Sequence, residues 1–355
     1  MKITALTFVA NQGHTVTGFK IEDTTVTAVI TDISVSVTTA GREPKTFQAK
    51  VTSVEKTEIG LVFAVEPFLY NADFTVSGAV SFTKADVTIV KTETVDDFAA
   101  IDTGKALYRL YTPKCDGPRP LMLFLHGGGE MGSDNIKQMT GTIGAAKLAE
   151  LYPEMYVMAP QAPGGISLGG AKIGATSASP AAALTALFDP ASDRGWSRTY
   201  LAGVCDIIRK MIADGLVCAD RVYVTGMSMG GFATLRAVSV ARDLFAAAAP
   251  ICPTMNDETY GILCGLGDFK IWASTAYVDY SLTRHMYLMN GIMKLRDGGN
   301  NNARLTLFSP EQLAEYGVGV GDVPVDIRVM QNHASWILVY NGVEGIMDWL
   351  TSQKR

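Results

Sequence analysis

The chain has 355 residues, of which 48% are hydrophobic and 18% charged, and its formal net charge at pH 7 is −5. This length exceeds the usual size of one domain, so we expect two domains with sizeable apolar cores. Residues 1–97 carry 8 Lys and Arg against 12 Asp and Glu, and the remainder carries 22 against 23. Because neither part has the basic excess that binds a phosphate backbone, we expect no nucleic-acid partner.

The sequence shows no clear targeting segment and no cysteine motif. No apolar run approaches the eighteen or so residues of a membrane span, so none is expected. The opening ITALTFVA, residues 3–10, is short and no clear small-residue cleavage site follows it, so it is predicted to be a strand. A cytoplasmic chain and a secreted chain that has lost its signal both fit, and the compartment stays open. Five scattered cysteines without a C-x-x-C pair predict no metal site, with a Cys252–Cys264 bridge as the alternative to free thiols.

Residues 1–97 have the texture of an all-β unit. Eighteen of them are threonine, and none is cysteine or tryptophan. Apolar and polar residues alternate in ISVSV (33–37) and DVTIV (86–90), as in half-buried strands, and turn-forming residues interrupt the segment at short intervals. We therefore predict an immunoglobulin-like β-sandwich over 1–97, in architecture only, that ends at a hinge in KTETVDDF (91–98).

Residues 98–355 show a different pattern, in which apolar strands alternate with helices from about residue 104. This order predicts an α/β domain with a mainly parallel sheet and helices on both of its faces. A Gly/Ser-rich stretch at 164–180 is too long for an ordinary connection and is predicted to cover a site or to pack as a surface loop. The predicted strands are 121–126, 155–160, 221–226, 245–250, 269–275 and 325–330, and the predicted helices are 201–214, 229–241, 281–295 and 334–351.

The segment VYVTGMSMGGFATL, residues 222–235, contains the pattern G-x-S-x-G between a predicted strand and a predicted helix. In this pattern the serine occupies a sharp, strained turn that exposes its hydroxyl above the sheet. Gly226 and Gly230 leave room for the turn, and Gly231 allows the helix to pack closely. Ser228 is therefore the predicted nucleophile, against the alternative of a glycine-rich turn with a capping serine.

A serine nucleophile needs a base, and the chain has four histidines. His14 lies in the β-rich segment, where we expect a surface turn, and His126 ends a strand in HGGGE. His285 falls inside a predicted helix. His333 follows the predicted strand 325–330 and precedes a helix, which makes it the predicted general base.

The acid that orients the base should follow the preceding strand, FKIWAST. Asp279 does so and gives the chain order Ser, Asp, His of an α/β-hydrolase. Asp268 precedes that strand, whereas Asp322 and Asp326 precede or lie in the last predicted one. Asp279 is the predicted acid, and its alternative role is the N-cap of the next helix.

The segment FLHGGGE, residues 124–130, places a glycine run after an early strand. An oxyanion needs backbone N–H donors aimed where negative charge develops, and a glycine run supplies them. We predict Gly128 as one donor, with Gly127 the next candidate, and the amide of Met229 as the other donor. The alternative is a plain glycine loop.

Taken together, HGGGE, GSDN, APQAP, RVYVTGMSMGG, AAAAPIC and NHASW resemble the α/β-hydrolase superfamily. The chain looks like bacterial carboxylesterases with an N-terminal immunoglobulin-like domain, related to polyhydroxybutyrate-depolymerase-like and feruloyl-type esterases. The resemblance implies that Ser228, Asp279 and His333 form a triad that cleaves short acyl or aryl esters without a cofactor. It also implies a small ester as substrate, derived from plant cell wall or polyester.

One departure from this family concerns the loop after the strand that carries the acid. Relatives show W-x-x-H-G-x-x-D, whereas this chain has WASTAYVD, with Thr275 and Ala276 in place of the His-Gly pair. The spacing to Asp279 is kept. Two other functions stay open: a serine peptidase of the prolyl-oligopeptidase type, and a binding module with an inactive hydrolase domain. Residues 1–97 are expected to shape access to the site.

Overall fold

A computed structural model describes residues 1–41, 43–164, 195–281 and 283–355. Most of the Gly/Ser-rich stretch predicted as a cover, from residue 165 onward, lies outside the described residues.

The first nine strands form two sheets. Their bounds are β1 Lys2–Ala10, β2 Gly13–Glu22, β3 Ile33–Thr38, β4 Thr46–Ala49, β5 Val51–Thr57, β6 Gly60–Leu69, β7 Asp73–Gly78, β8 Phe82–Thr83 and β9 Ile89–Thr92. One sheet has the order β5-β6-β2-β1-β9 and the other β4-β3-β7-β8. Neighbouring strands are antiparallel except for the parallel pair β1 and β9.

A shared apolar core joins these two sheets, and Phe19 lies at its centre. The Phe19 ring is 5.4 Å from that of Phe63 in its own sheet and 5.2 Å from those of Phe74 and Phe82 in the facing sheet. All four side chains are buried. Such tilted and edge-on ring contacts add to the free energy gained from burial, so Phe19 couples the two sheets.

Eight further strands build one large sheet, and its order confirms the mainly parallel α/β prediction. The strand order is β10-β11-β13-β12-β14-β15-β16-β17. The pairs β10–β11 and β11–β13 are antiparallel, and all the other neighbouring pairs are parallel. The bounds are β10 Phe98–Asp102, β11 Leu107–Tyr111, β12 Arg119–Leu125, β13 Tyr156–Pro160, β14 Val217–Met227, β15 Ala247–Ile251, β16 Ile271–Ala276 and β17 Ala303–Phe308.

Helices cover both faces of this sheet. In β12, Leu121, Leu123 and Leu125 enter one apolar cluster, whereas Met122 and Phe124 enter the other, as period-two alternation requires. The first face packs against α3 Arg198–Ala213, α4 Met229–Val240, α5 Asp257–Cys264 and α6 Arg284–Asp297. The second face packs against α1 Lys137–Thr140, α2 Gly144–Leu151, α7 Pro310–Glu315, α9 Trp336–Tyr340 and α10 Ile346–Ser352.

One predicted strand is wrong. Residues 325–330, predicted as the last strand, belong to helix α8, Val325–Asn332, which follows Pro324 and leaves most of its side chains exposed. The last strand of the sheet is β17, which the sequence analysis did not identify. His333 therefore caps the C-terminus of a helix and does not follow a strand.

Two smaller expectations can also be compared with the structure. No helix among the described residues is long and apolar enough to cross a membrane. Cys252 and Cys264 are both free thiols, so the alternative of a bridge between them is wrong.

Replacement of Phe19 by alanine should lower the free energy of unfolding by about 3–5 kcal/mol, because it leaves a cavity between two sheets. Chemical denaturation followed by circular dichroism measures this change. Phe47→Ala is the matched control, since Phe47 is 43% exposed and should cost far less. Equal losses for the two variants would contradict the central position of Phe19.

Candidate active site

Ser228 lies at the turn between β14 and α4, where its backbone has φ 56° and ψ −117°. This positive φ is strained for a residue with a side chain. Two backbone hydrogen bonds hold the turn: the Ser228 amide donates to the Ile251 carbonyl at 2.9 Å, and the Thr254 amide donates to the Ser228 carbonyl at 3.2 Å. The strained serine is thus fixed against the neighbouring strand β15.

The glycines around Ser228 are required by close backbone approach. A Cβ at Gly226 would lie 2.4 Å from the Gly230 carbonyl oxygen, and one at Gly230 would lie 1.9 Å from that of Leu125. A Cβ at Gly231 would lie 2.5 Å from the Ile251 carbonyl oxygen. No side chain fits at these separations, so the pattern has a local steric cause.

Three predicted residues from separate elements meet at this turn. The Nε2 atom of His333 is 2.8 Å from the Ser228 hydroxyl, and its Nδ1 atom is 2.9 Å from Oδ2 of Asp279. Because the carboxylate only accepts, Nδ1–H donates to Asp279, which leaves Nε2 to accept from the Ser228 hydroxyl. Ser228 follows β14, Asp279 follows β16 and His333 follows α8.

Arg284 is a fourth member of this cluster, and the sequence analysis missed it. Its guanidinium pairs with Oδ1 of Asp279, and its Nε donates to the Pro253 carbonyl at 2.9 Å. The Arg284 and Asp279 side chains are only 2% and 1% exposed. The Nη1 atom of Arg284 lies 3.1 Å from Nδ1 of His333. Because Nδ1–H already donates to Asp279, this contact is not a second hydrogen bond, and it places a positive charge beside the imidazole ring.

The loops that carry the acid and the base are tied to each other. The buried side chain of Asn332 donates to the Val278 carbonyl at 3.0 Å, and these two residues directly precede His333 and Asp279. The rings of Tyr280 and Trp336 flank the His333 ring edge-on, at 4.8 and 5.5 Å. These two ring contacts restrict rotation of the imidazole.

Burial and charge together set the ionisation of this pair. Burial alone would raise the pKa of Asp279. The hydrogen bond from His333, the charge that His333 carries when protonated and the positive charge of Arg284 hold that pKa below its ordinary value. Burial lowers the pKa of His333; the hydrogen bond to Asp279 opposes this, and the charge of Arg284 adds to it. At neutral pH the acid is ionised and the imidazole is neutral, as a general base must be.

The glycine loop after β12 lies against the turn at Ser228. A Cβ at Gly127 would lie 3.5 Å from Cε of Met227, and a 3₁₀ turn spans Gly128–Glu130. Within the described residues, the amides of Gly128 and Met229 donate to no acceptor. These two unpaired N–H groups remain the candidates for oxyanion donors.

Hydrogen bonds of the His126 side chain hold the glycine loop in place. Its ring is fully buried; Nδ1–H donates to the Gly127 carbonyl at 2.6 Å, and Nε2 accepts from the Ala162 amide at 2.9 Å. Burial lowers the pKa of His126 to about 4, so the ring is neutral at pH 7. The buried Trp196 ring packs on it, and its indole N–H donates to the His126 carbonyl at 3.1 Å.

Glu130 packs beneath the same loop. Burial raises the pKa of Glu130 to about 7, although the backbone amides of Glu130 and Gly127 lower it. Its Oε2 atom has no hydrogen-bond partner among the described residues. The amide of Gly127 thus faces a carboxylate, which leaves Gly128 as the better oxyanion donor in this loop.

The other candidate histidines, and the candidate carboxylate Asp268, lie elsewhere. His14 is in β2, where its Nε2 is 2.8 Å from the Thr7 hydroxyl; it is partly buried and does not lie in the expected surface turn. His285 lies in α6 beside the Tyr277 ring. Asp268 pairs with Arg242 on the surface.

The donor groups of the described residues give no sign of a metal site. No group of three or more His, Cys, Asp or Glu side chains in this part of the chain is arranged to hold an ion.

Comparisons with known proteins agree with the fold. Residues 188–279, about a quarter of the chain, match the prolyl oligopeptidase family. This match contains Ser228 and Asp279 and ends before His333. A search of curated proteins found no match.

Solved structures provide the broader likeness. A thermostable esterase superposes with a TM-score of 0.71 at 24% identity, over 100% of both chains. At this identity the likeness shows a shared α/β-hydrolase-like fold. An arylesterase is 14% identical and covers 60% of this chain and 74% of its own. An esterase from Pyrobaculum calidifontis is 13% identical and covers 68% of this chain and 80% of its own. Both have TM-scores of 0.41, which are too low to support an argument.

Replacement of Glu130 by glutamine should change how stability depends on pH. Between pH 4.5 and about 7 the folded chain keeps the Glu130 proton whereas the unfolded chain loses it, so wild-type stability falls as the pH rises. The free energy of unfolding of wild type, relative to Glu130→Gln, should fall by up to about 3 kcal/mol from pH 4 to pH 8. Urea denaturation across this range measures it, and a constant difference would contradict the perturbed pKa.

Proposed function

We propose that the chain is a serine carboxylesterase that hydrolyses short acyl or aryl esters. The observation that carries the proposal is the continuous chain of contacts from Ser228 through His333 to Asp279, with separations of 2.8 and 2.9 Å. These are the separations at which a base takes a proton from a nucleophile and an acid orients the base. The shared α/β-hydrolase-like fold is compatible with ester hydrolysis.

In the proposed reaction, the Ser228 oxygen attacks the ester carbonyl carbon while Nε2 of His333 takes the hydroxyl proton. The carbonyl oxygen becomes an oxyanion, which the amides of Gly128 and Met229 stabilise. His333 then gives its proton to the leaving alcohol oxygen as the C–O bond breaks, and the acyl group stays on Ser228. Water, deprotonated by His333, attacks the acyl carbon, and Ser228 recovers its proton as the acid leaves.

Arg284 is a positioning residue in this scheme. It fixes one oxygen of Asp279 and leaves the other to accept from His333, so the imidazole has one orientation. Its charge also keeps Asp279 ionised and disfavours protonation of His333 before Ser228 transfers its proton. Each effect keeps a neutral imidazole aimed at Ser228.

We further propose that residues 1–97 form a separate immunoglobulin-like domain and residues 98–355 the catalytic domain. The boundary falls between β9 and β10, which belong to different sheets. Every proposed catalytic group lies in the second part. The proposed substrate is a small ester, derived from plant cell wall or polyester.

A peptidase is the second candidate, because residues 188–279 match the prolyl oligopeptidase family. The same triad can attack an amide, and the fold does not decide between the bonds. Parallel assays with a 4-nitrophenyl ester and a proline-containing peptide anilide separate the two. Faster turnover of the peptide would contradict the esterase proposal.

Ser228→Ala should lower kcat by about 10⁴-fold or more with the fold intact, because the triad acts as a unit. His333→Ala should cause a comparable loss, since no other imidazole reaches the serine. Initial rates with a 4-nitrophenyl ester measure both.

His285→Ala and His14→Ala are the matched controls for the histidine, and both should stay within a few-fold of wild type. Circular dichroism checks that each variant is folded. Activity of folded Ser228→Ala within tenfold of wild type would refute the nucleophile.

Asp279→Asn should lower kcat by about 10⁴-fold at neutral pH, because it removes the charge that orients and stabilises the imidazolium. Asp268→Asn and Asp322→Asn are matched controls on the surface and should be nearly silent. A larger loss in either control than in Asp279→Asn would contradict the assignment of the acid.

A further inference from the structure

Tyr280 lies at the boundary between the proposed catalytic cluster and solvent. It directly follows Asp279 in the loop between β16 and α6, and it is 50% exposed. By contrast, the side chains of Asp279, Arg284 and His333 are 1%, 2% and 12% exposed. A half-exposed ring thus adjoins three side chains that are almost closed to water.

Two contacts place the Tyr280 ring against the cluster. Its centroid is 4.8 Å from that of the His333 ring, and the two ring planes meet at 72°. The guanidinium carbon of Arg284 lies 5.0 Å from the same centroid, which is within the range of a cation–π interaction. Because the ring is itself half-exposed, it separates one side of the imidazole and of the guanidinium from solvent.

Water near this cluster would change the ionisation of the base. Burial is the largest cause that lowers the pKa of His333, and the charge of Arg284 also lowers it. Both effects weaken where water enters, because water solvates the imidazolium and screens the guanidinium. The hydrogen bond to Asp279, which raises this pKa, stays in place. Access of water should therefore make His333 easier to protonate.

Charged and titratable groups reach His333 from several elements. The groups that face it among the described residues are the hydroxyl of Ser228, the carboxylate of Asp279, the guanidinium of Arg284 and the rings of Tyr280 and Trp336. The buried Cys252 thiol lies near Asp279 and Arg284, and burial raises its pKa to about 12, so it stays neutral. Within this part of the chain, the charges that act on the base are those of Asp279 and Arg284.

Tyr277 provides a comparison within the same loop. It is 55% exposed and lies three residues before Tyr280. Its ring packs 5.5 Å from that of His285, and its amide donates to the Phe308 carbonyl at 2.8 Å. Tyr277 therefore matches Tyr280 in residue type and exposure but contacts a different histidine.

We propose that Tyr280 is a positioning residue, which keeps water away from the buried charges around His333 and holds the imidazole ready to take the Ser228 proton. This role rests on the proposed esterase function. It belongs to the aromatic ring and not to the hydroxyl, because the ring makes both contacts with the cluster.

Tyr280→Ala removes the ring, whereas Tyr280→Phe keeps it and loses only the hydroxyl. In the full chain, the acid limb of kcat/KM against pH for a 4-nitrophenyl ester reports the protonation of His333 in the free enzyme. Tyr280→Ala should move this limb to higher pH and lower kcat/KM on it, relative to the plateau, about threefold. The plateau kcat should fall about tenfold, because the imidazole is less well oriented. Tyr280→Phe should restore both values to within about twofold of wild type.

Fluorophosphonate labelling of Ser228 provides a second measurement of the same limb. Attack by the serine needs transfer of its proton to His333, so the labelling rate constant follows the ionisation of the base. Unfolded chains reduce the amount of labelled protein but not the rate constant of the folded fraction. The labelling profile should therefore move in Tyr280→Ala as the ester assay does, even where only part of the variant folds.

Tyr277→Ala is the matched control and should leave both profiles in place. Three results would overturn the role of Tyr280. One is a Tyr280→Ala variant whose acid limb stays at the wild-type pH in both measurements. Another is an equal move of the limb in Tyr277→Ala, and the third is a Tyr280→Phe variant that behaves like Tyr280→Ala.

The esterase function is tested separately by the same experiments. A wild-type chain that is labelled at Ser228 but hydrolyses no ester would refute that function. The labelling profiles of wild type, Tyr280→Ala and Tyr280→Phe would then decide the role of Tyr280 on their own. Movement of the limb in Tyr280→Ala alone would support the role, and the absence of movement would overturn it.

Discussion

The strained turn at Ser228 is the constraint on which the rest of the site depends. A positive φ at a residue with a side chain costs on the order of 1–3 kcal/mol, and it persists only where the surroundings enforce it. Here the carbonyl of Leu125 approaches Gly230 and that of Ile251 receives the Ser228 amide, so strands on both sides of β14 hold the turn. The hydroxyl is thereby presented at one edge of the sheet, where the loops with Asp279 and His333 also meet.

Burial of charge is the second organising feature, and it explains why an arginine belongs to the cluster. Asp279 is 1% exposed, and a carboxylate buried without partners would take up a proton. The Arg284 guanidinium and the His333 ring keep it ionised, while the Pro253 carbonyl and the Tyr280 ring satisfy the arginine itself. The acid and base of the proposed triad are thus stabilised by a group that contacts neither Ser228 nor the predicted oxyanion donors.

Local steric patterns made much of this site predictable from the sequence, and long-range packing did not. The glycines around Ser228 indicate a tight turn from residue type alone, and buried parallel strands are continuous apolar runs. The segment 325–330 was wrongly predicted as a strand because the apolar residues Val325, Ile327 and Val329 alternate with polar ones. They lie in an exposed helix. The edge strand β17 is only half-buried, so its apolar signal is weaker. Arg284 is one helical residue among many and gave no local signal. Asn11 gave none either, since the residue that donates a hydrogen bond to it, Asn341, lies 330 positions further along the chain.

The proposal that Ser228 is a nucleophile activated by His333 is tested most directly by covalent trapping with a fluorophosphonate. One equivalent of reagent should add to the folded wild-type chain, and peptide mass mapping should locate it on Ser228. His333→Ala should label at least about a hundredfold more slowly, since the hydroxyl has lost its base. A folded wild-type chain that stays unlabelled, or a label that maps to another residue, would contradict the account.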